Sequence, residues 1–257
     1  MSAISTFKTV LIFGGTSGIG ESFARRFHAM GKKVIVTGRR EARLAALAKE
    51  LPGVETYVLD NADISKLPTH AEALIKKFPD IDTVWVNSGL AYVGHFRSLD
   101  GHSDEKVVTE LNTNLVAPII LSRYFVPHLL SLDRPGSFLV TGSGLGFVPM
   151  GLLSVYCASK AAVHSFLVGL RESLKDTNVN VIEVVAPYVK TDFDKDYPME
   201  HLATPMELGD YTDQTLAIFE STPAADLKEA GVGFGAMGAS AWREAFGRFL
   251  TGRGSTG

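Results

Sequence analysis

Cysteine is almost absent from this chain: Cys157 is the only one, so no intrachain disulfide can form. A reducing, cytoplasmic setting is the expectation. Long apolar runs are missing too, since none nears the roughly 20 residues that a membrane span needs. Neither sign of charge dominates, with 25 Lys and Arg against 28 Asp and Glu for a net −3. That balance leaves no electrostatic footprint for nucleic acid or an anionic membrane, and neither partner is expected. The start, MSAISTFKTVLIF, has no charged head and no small-residue cleavage site, so no secretory signal is expected. The seven histidines, at 28, 70, 95, 102, 128, 164 and 201, show no metal-ligand spacing, so no metal is expected.

What is present is a rhythm. TVLIF (9–13), KVIVT (33–37), VETYVL (54–59), TVWVN (83–87), SFLVT (137–141) and VNVIEVV (179–185) read as strands. They are near-continuously apolar, as parallel strands covered on both faces must be. Amphipathic stretches at roughly 18–30, 41–51, 64–78, 103–131 and 154–176 lie between them. Such alternation predicts an α/β fold: one doubly wound Rossmann-type domain over 1–257, with a mostly parallel sheet of roughly six to seven strands and helices on both faces. After the sixth strand the rhythm breaks. Residues 188–222, with Tyr188, Phe193, Tyr197, Met199, Leu202 and Met206, read as a lid over a ligand crevice. A short seventh strand is expected within 231–238, then a helix over 240–250.

Between the first strand and first helix, Gly14, Gly18 and Gly20 form G-x-x-x-G-x-G. Glycines there allow a tight turn and close backbone approach, and the helix N-terminus behind them offers free N–H groups to a phosphate. A tight turn without a ligand would use the same residues. The second strand ends in Gly38 and Arg39, where a dinucleotide's adenosine ribose would lie. An acid there would repel a 2′-phosphate, whereas an arginine attracts it. Arg39 therefore favours NADP(H), with Arg40 as helper. Asp60, after the third strand, either accepts a hydrogen bond from adenine or caps the next helix.

Tyr156 and Lys160 are four residues apart and share a helix face. A lysine ammonium near a phenol lowers a pKa that starts near ~10, which makes the tyrosine a usable acid or base. Ser143 ends the fifth strand and can bond the same substrate oxygen. A core tyrosine with an exposed lysine would give the same pair, but not behind a nucleotide turn and a serine-ended strand.

GGTSGIG (14–20), VNSG (86–89), NTNLVAP (112–118), Ser143, YCASK (156–160) and PYVKT (187–191) together resemble the short-chain dehydrogenase/reductase family of single-domain type with a Tyr-x-x-x-Lys centre. The resemblance is clear over about 8–192. It implies Tyr156 as general acid/base, Ser143 as the group orienting the substrate oxygen, and Lys160 as ligand of the nicotinamide ribose. It implies Asn114 as holder of a water linking Lys160 to solvent; Asn112 fits the pattern less well. The implied cofactor site takes in Gly14, Thr16, Ser17, Gly18, Ile19, Gly20, Arg39, Arg40, Asp60, Asn61, Asn87, Ser88, Gly89, Tyr156, Lys160, Pro187, Val189 and Thr191. The implied function is interconversion of a carbonyl and a secondary alcohol with a nicotinamide cofactor; Arg39 makes that cofactor NADP(H), and the apolar and aromatic composition of 188–211 points to a small, hydrophobic substrate. In the resembling family the helices matching 103–131 and 154–176 make dimer or tetramer contacts, so a homo-oligomer is expected.

The sequence departs from the pattern in three places. Val86 and Ser88 replace asparagine and alanine of N-N-A-G, Phe13 replaces a common threonine, and Tyr188 replaces a glycine beside the reacting centre. His164 reads as an interface or surface residue and Cys157 as a packing residue. An alternative is an NADP(H)-binding regulatory or scaffold protein on the same fold, though a pure sensor needs no proton relay. A methyltransferase would need neither Arg39 nor Tyr-x-x-x-Lys.

Overall fold

Thr9–Phe13 is buried at every position, and its side chains divide between two cores. Val10 and Ile12 join Phe23, Phe27, Trp85 and Phe219 on one face. Leu11 and Phe13 join Leu74, Phe125, Phe138 and Val163 on the other. This period-two division, with both faces apolar, is why the strands read as unbroken apolar runs. The computed structural model describes residues 1–195 and 203–251.

After a short helix α1 (Ala3–Thr6), the order is β1 (Thr9–Phe13), α2 (Gly18–Ala29), β2 (Lys33–Gly38), α3 (Glu41–Glu50), β3 (Glu55–Val58), α4 (Leu67–Lys77) and β4 (Thr83–Val86). Then come α5 (Asp104–Leu111), α6 (Ala117–Leu130), β5 (Gly136–Ser143), α7 (Ser154–Ser173), β6 (Val179–Ala186), α8 (Leu208–Ser221), β7 (Glu229–Gly231) and α9 (Phe234–Thr251). The strands form one seven-stranded sheet in the order β3-β2-β1-β4-β5-β6-β7. Every ladder is parallel. The order reverses between β1 and β4, so a crevice opens outside their carboxyl ends.

Three details differ from the sequence expectation. The helix expected over 103–131 is α5 and α6 joined by a π-helical turn, Asn112–Val116. Such turns, one residue wider than α, occur often at functional sites. The seventh strand ends at Gly231, and most of 231–238 is the first turns of α9, because the glycine-rich stretch starts a helix against β6 and β7. The lid is not irregular throughout. Its base is pinned by Lys190 N–H donating to Met206 O and Met206 N–H donating to Tyr188 O, each at 2.9 Å, and α8 occupies its second half. Tyr197, Met199 and Leu202 lie outside the described residues. Gly151–Ser173 holds an 18-residue stretch with a mean hydropathy of 1.3 and is, by length and composition, apolar enough to cross a membrane. Here Val163 and Leu167 of that segment pack in the core beside the sheet.

Candidate active site

The β1–α2 turn is built around close approach. Gly14 and Gly15 both donate to Thr37 O at 3.1 Å, which ties the turn to β2. Gly14 has φ +77°, and a Cβ on it would lie 2.7 Å from Ser88 Cα. A Cβ on Gly20 would overlap the Gly14 carbonyl oxygen and stand 2.6 Å from Asn87 Nδ2. Only glycine lets α2 start this near the turn. Ser17, which precedes α2, makes no side-chain cap; its hydroxyl and that of Thr16 accept from Arg40 at 2.7 and 2.8 Å. The first N–H groups of α2 therefore face the crevice without a side-chain cap, as an anion site requires.

Behind the turn, polar side chains lock the strand ends together. Asn87 Nδ2 donates to Gly14 O at 3.0 Å, Thr141 Oγ1 donates to Asn87 Oδ1 at 2.9 Å, and Trp85 Nε1 donates to Thr141 Oγ1 at 2.9 Å. Each bond contributes about 1 kcal/mol, and a buried group left unpaired costs about 1–3 kcal/mol. The replaced loop VNSG holds its place: Asn61 Nδ2 donates to Ser88 Oγ. The Asn61 carbonyl oxygen is buried and unpartnered, an acceptor facing nothing of the chain itself. Arg39 pairs with Asp60 at 3.9 Å while keeping a side-chain exposure of 65%. Asp60 also accepts from Ala62 N–H at 3.0 Å, a local turn; it does not cap the next helix, α4, which starts at Leu67. Arg40 is held below the usual guanidinium range by burial and by Arg43 and Arg39 beside it. Three cations thus converge where β2 ends.

Ser143 is the last residue of β5, and Tyr156 stands in the first turn of α7. Both side chains line the cleft, and Ser143 Oγ accepts from Leu145 N–H at 3.2 Å. The Tyr156 ring meets the Phe193 ring edge-on at 5.8 Å. Lys160 is 3% exposed; its Nζ donates to Thr141 O at 2.8 Å and lies 5.6 Å from the Tyr156 ring centroid. The expected lowering of the phenol is not what this geometry gives. Burial pushes Tyr156 up to about 12, against the lowering influence of the Ser143 hydroxyl. Burial likewise pulls Lys160 down to about 8, against the carboxyls of Glu183 and Glu110. The ammonium bonds a backbone carbonyl instead of the phenol, so desolvation outweighs attraction. At neutral pH Tyr156 is a protonated donor.

These groups open on one cleft of about 1650 Å³, lined by residues of every predicted segment. Drug-sized ligands occupy about 300–1,000 Å³, so there is room for a dinucleotide and a small substrate. The fit to a dinucleotide is good: a glycine cradle that any Cβ would fill, uncapped N–H groups, an unpartnered Asn61 oxygen and a triple cation. Of the predicted residues, only Gly20 and Asn114 do not line the cleft. Asn114 is fully buried in the π turn. Its Oδ1 accepts from Leu90 N–H at 2.9 Å, and its Nδ2 donates to Leu90 O at 2.8 Å and Ser159 Oγ at 3.1 Å. It fixes the loop after β4 against α7. A Cβ on Gly89 would lie 3.5 Å from Asn114 Oδ1 and 3.6 Å from Lys160 Nζ, so the two side chains meet under that loop.

Of the departures, Phe13 is core, edge-on to Phe125 at 5.7 Å, and Tyr188 lines the cleft. His164 is not on the surface. It is 5% exposed, and Nδ1 lies 2.6 Å from Glu183 Oε2, because α7 turns this position onto β6. Cys157 is buried, with its sulfur accepting from Met150 N–H at 3.3 Å. Sequence reasoning missed Thr141, whose two oxygens join Lys160, Asn87 and Trp85. It also missed Glu110 and Glu183; an acid inside the apolar strand β6 was the available signal for Glu183, whereas Glu110 stands among the charges of α5.

The short chain dehydrogenase family model matches residues 8–201. The chain is 40% identical over 188 residues to DltE, an uncharacterized oxidoreductase of Bacillus subtilis, covering 72% of this chain and 73% of that one. It is 35% identical over 192 residues to an NADP-dependent 3-hydroxy acid dehydrogenase of Schizosaccharomyces pombe, with the same coverage. A short-chain dehydrogenase from Sphingobium yanoikuyae, solved in complex with NADPH, superposes with a TM-score of 0.82 at 24% identity, over 97% of this chain and 96% of that one. At that identity the likeness bears on the fold.

Proposed function

This chain belongs to the short chain dehydrogenase family, and from that premise we propose that it is an NADP(H)-dependent carbonyl reductase or alcohol dehydrogenase. The observation that carries the reading is the convergence of Ser143, Tyr156 and buried Lys160 on the same cleft as the glycine turn and Arg39. When bound, the nicotinamide supplies or takes the hydride. Ser143 and Tyr156 hold the substrate oxygen, and Tyr156 gives it the proton in the reducing direction. Lys160 binds the ribose and keeps positive charge beneath the phenol as negative charge develops on its oxygen. Asn114 acts by holding the loop at Gly89, and any water it carries joins through its backbone, since its amide is engaged.

Cofactor choice rests on Arg39. Its exposed guanidinium, beside Arg40 and Arg43, suits a 2′-phosphate with charge-assisted hydrogen bonds. The relative named for NADP dependence supports this choice. Expected dissociation constants favour NADPH over NADH, and Arg39→Asp should cut that preference by about 10-fold or more. Titrating both cofactors by fluorescence decides it; equal constants in the unmodified protein sink the claim.

Substrate scope rests on the segment 188–222, read as a lid. Tyr188, Phe193, Val148 and Met150 give the outer cleft an apolar wall that suits a small hydrophobic carbonyl. Tyr188→Gly should raise kcat/KM for bulky ketones relative to small ones by about 10-fold, the scale of one or two methylenes in a pocket. Unchanged relative rates would place the ring outside the productive pocket. A single cytoplasmic domain over 1–257 fits the same reading, as does self-association. Phe246 of α9 remains 54% exposed and shares a groove with Val168 and Gly169 of α7, the helix expected to make subunit contacts.

A further inference from the structure

Glu110 closes α5 one turn before Asn114 and is fully buried. Neither of its carboxyl oxygens has a well-formed hydrogen bond, and the Tyr92 backbone N–H acts on it only weakly. An acid in that state is costly, and nothing in the fold of α5 requires it. The elements around it carry few other ionisable groups. On α7 stand Lys160, Tyr156 and Cys157, each of which responds to the charge of Glu110. From β6 comes Glu183, engaged by His164 of α7 through one oxygen and also acting on Lys160. From the loop after β4 comes the Tyr92 backbone N–H, and Lys106, one turn earlier on α5, lies over the Tyr92 ring at 5.5 Å.

We propose that Glu110 is a positioning residue that acts through Lys160: its carboxylate holds the lysine protonated, its neutral acid releases that hold, and it thereby sets the pH range in which the Tyr156–Lys160 pair works. This rests on the roles given to Tyr156 and Lys160 above. Burial pushes Glu110 up to about 7, just below the value of about 8 to which Lys160 is pulled down. The two groups therefore titrate near one another around neutrality, so the charge of each bears on the other. Glu183 also holds Lys160 up, and more strongly than Glu110; Glu110 differs in that neither of its own oxygens is paired, whereas one oxygen of Glu183 meets His164.

The test uses the full chain with Glu110→Gln and Glu110→Asp. In Glu110→Gln the alkaline limb of kcat/KM should move down by at least about half a pH unit, about a twofold loss at pH 8 that approaches threefold at higher pH, with near-equal rates at pH 6. Glu110→Asp keeps the charge and should retain the parental limb. A second readout needs no turnover. With its folded-state value raised from 4.5 to about 7, Glu110 takes up a proton on folding between those values. The parent therefore loses stability as pH rises through that window, and Glu110→Gln does not. Between pH 5 and 7 the Tm of Glu110→Gln should gain at least about 2 °C on the parent. Parallel Tm slopes overturn the proposal, as does a uniform loss of activity at every pH in both variants. A parent that turns nothing over defeats the reading of the site instead, and the Tm slopes still decide whether Glu110 titrates.

Discussion

Replacing Tyr156 by phenylalanine is expected to lower kcat for carbonyl reduction by at least about 10²-fold while NADPH still binds within a few-fold of the parental affinity. The substitution removes one hydroxyl and keeps the ring, so the edge-on contact with Phe193 persists. What disappears is the proton donor and the hydrogen bond to the developing alkoxide. General acid catalysis is worth about 10²–10⁴-fold and an oxyanion donor about 10²–10³-fold; on one hydroxyl they overlap and are not multiplied. Ser143 remains able to hold the oxygen, yet its own proton is not set by a neighbouring cation. Single-turnover and steady-state rates with a good substrate check this. Near-normal reductase activity in Tyr156→Phe would refute the assignment.

Lys160→Met should damage binding and rate together, with kcat/KM reduced by at least about 10²-fold and a weaker NADPH constant. Its stability should move differently. Burial pulls Lys160 from 10.5 down to about 8, so the folded state at neutral pH carries roughly 3 kcal/mol of cost for keeping the ammonium charged. The folded value lies below the unfolded one, so this cost is full below pH 8 and fades as pH rises toward 10.5. Methionine removes it but leaves the Thr141 carbonyl without its donor, at about 1–3 kcal/mol. The Tm at pH 7 should therefore match or exceed the parent's, and any gain should shrink in alkaline buffer. Calorimetry across pH measures this. A variant that loses activity because it has lost several degrees of Tm would show Lys160 to be structural.

The sequence made the sheet legible because parallel strands buried on both faces leave an apolar run that little else produces, and Thr9–Phe13 and Val179–Ala186 follow it almost residue for residue. It made most of the site legible because turn glycines, an arginine after β2 and a serine-ended strand each have a local chemical reason. What stayed hidden depended on neighbours far along the chain. The π turn at Asn112–Val116 arises where Asn114 must reach both Leu90 and Ser159, and no local spacing encodes that. His164 read as a surface residue because its partner, Glu183, sits on a strand nineteen residues on. The direction of the Tyr156 shift was misjudged for the same reason. The four-residue spacing from Lys160 is visible in the sequence, whereas the desolvation that outweighs it, and the Thr141 carbonyl that takes the ammonium, appear only in three dimensions.

The most direct measurement is NADPH consumption, followed by absorbance, across a panel of small and bulky aldehydes and ketones, with the parent and Tyr156→Phe side by side. The account predicts carbonyl-dependent oxidation of NADPH by the parent, a product alcohol in equal amount, and a rate at least about 10²-fold lower in the variant. A parent that binds NADPH tightly yet reduces nothing in the panel would contradict it and favour a cofactor-binding regulatory role.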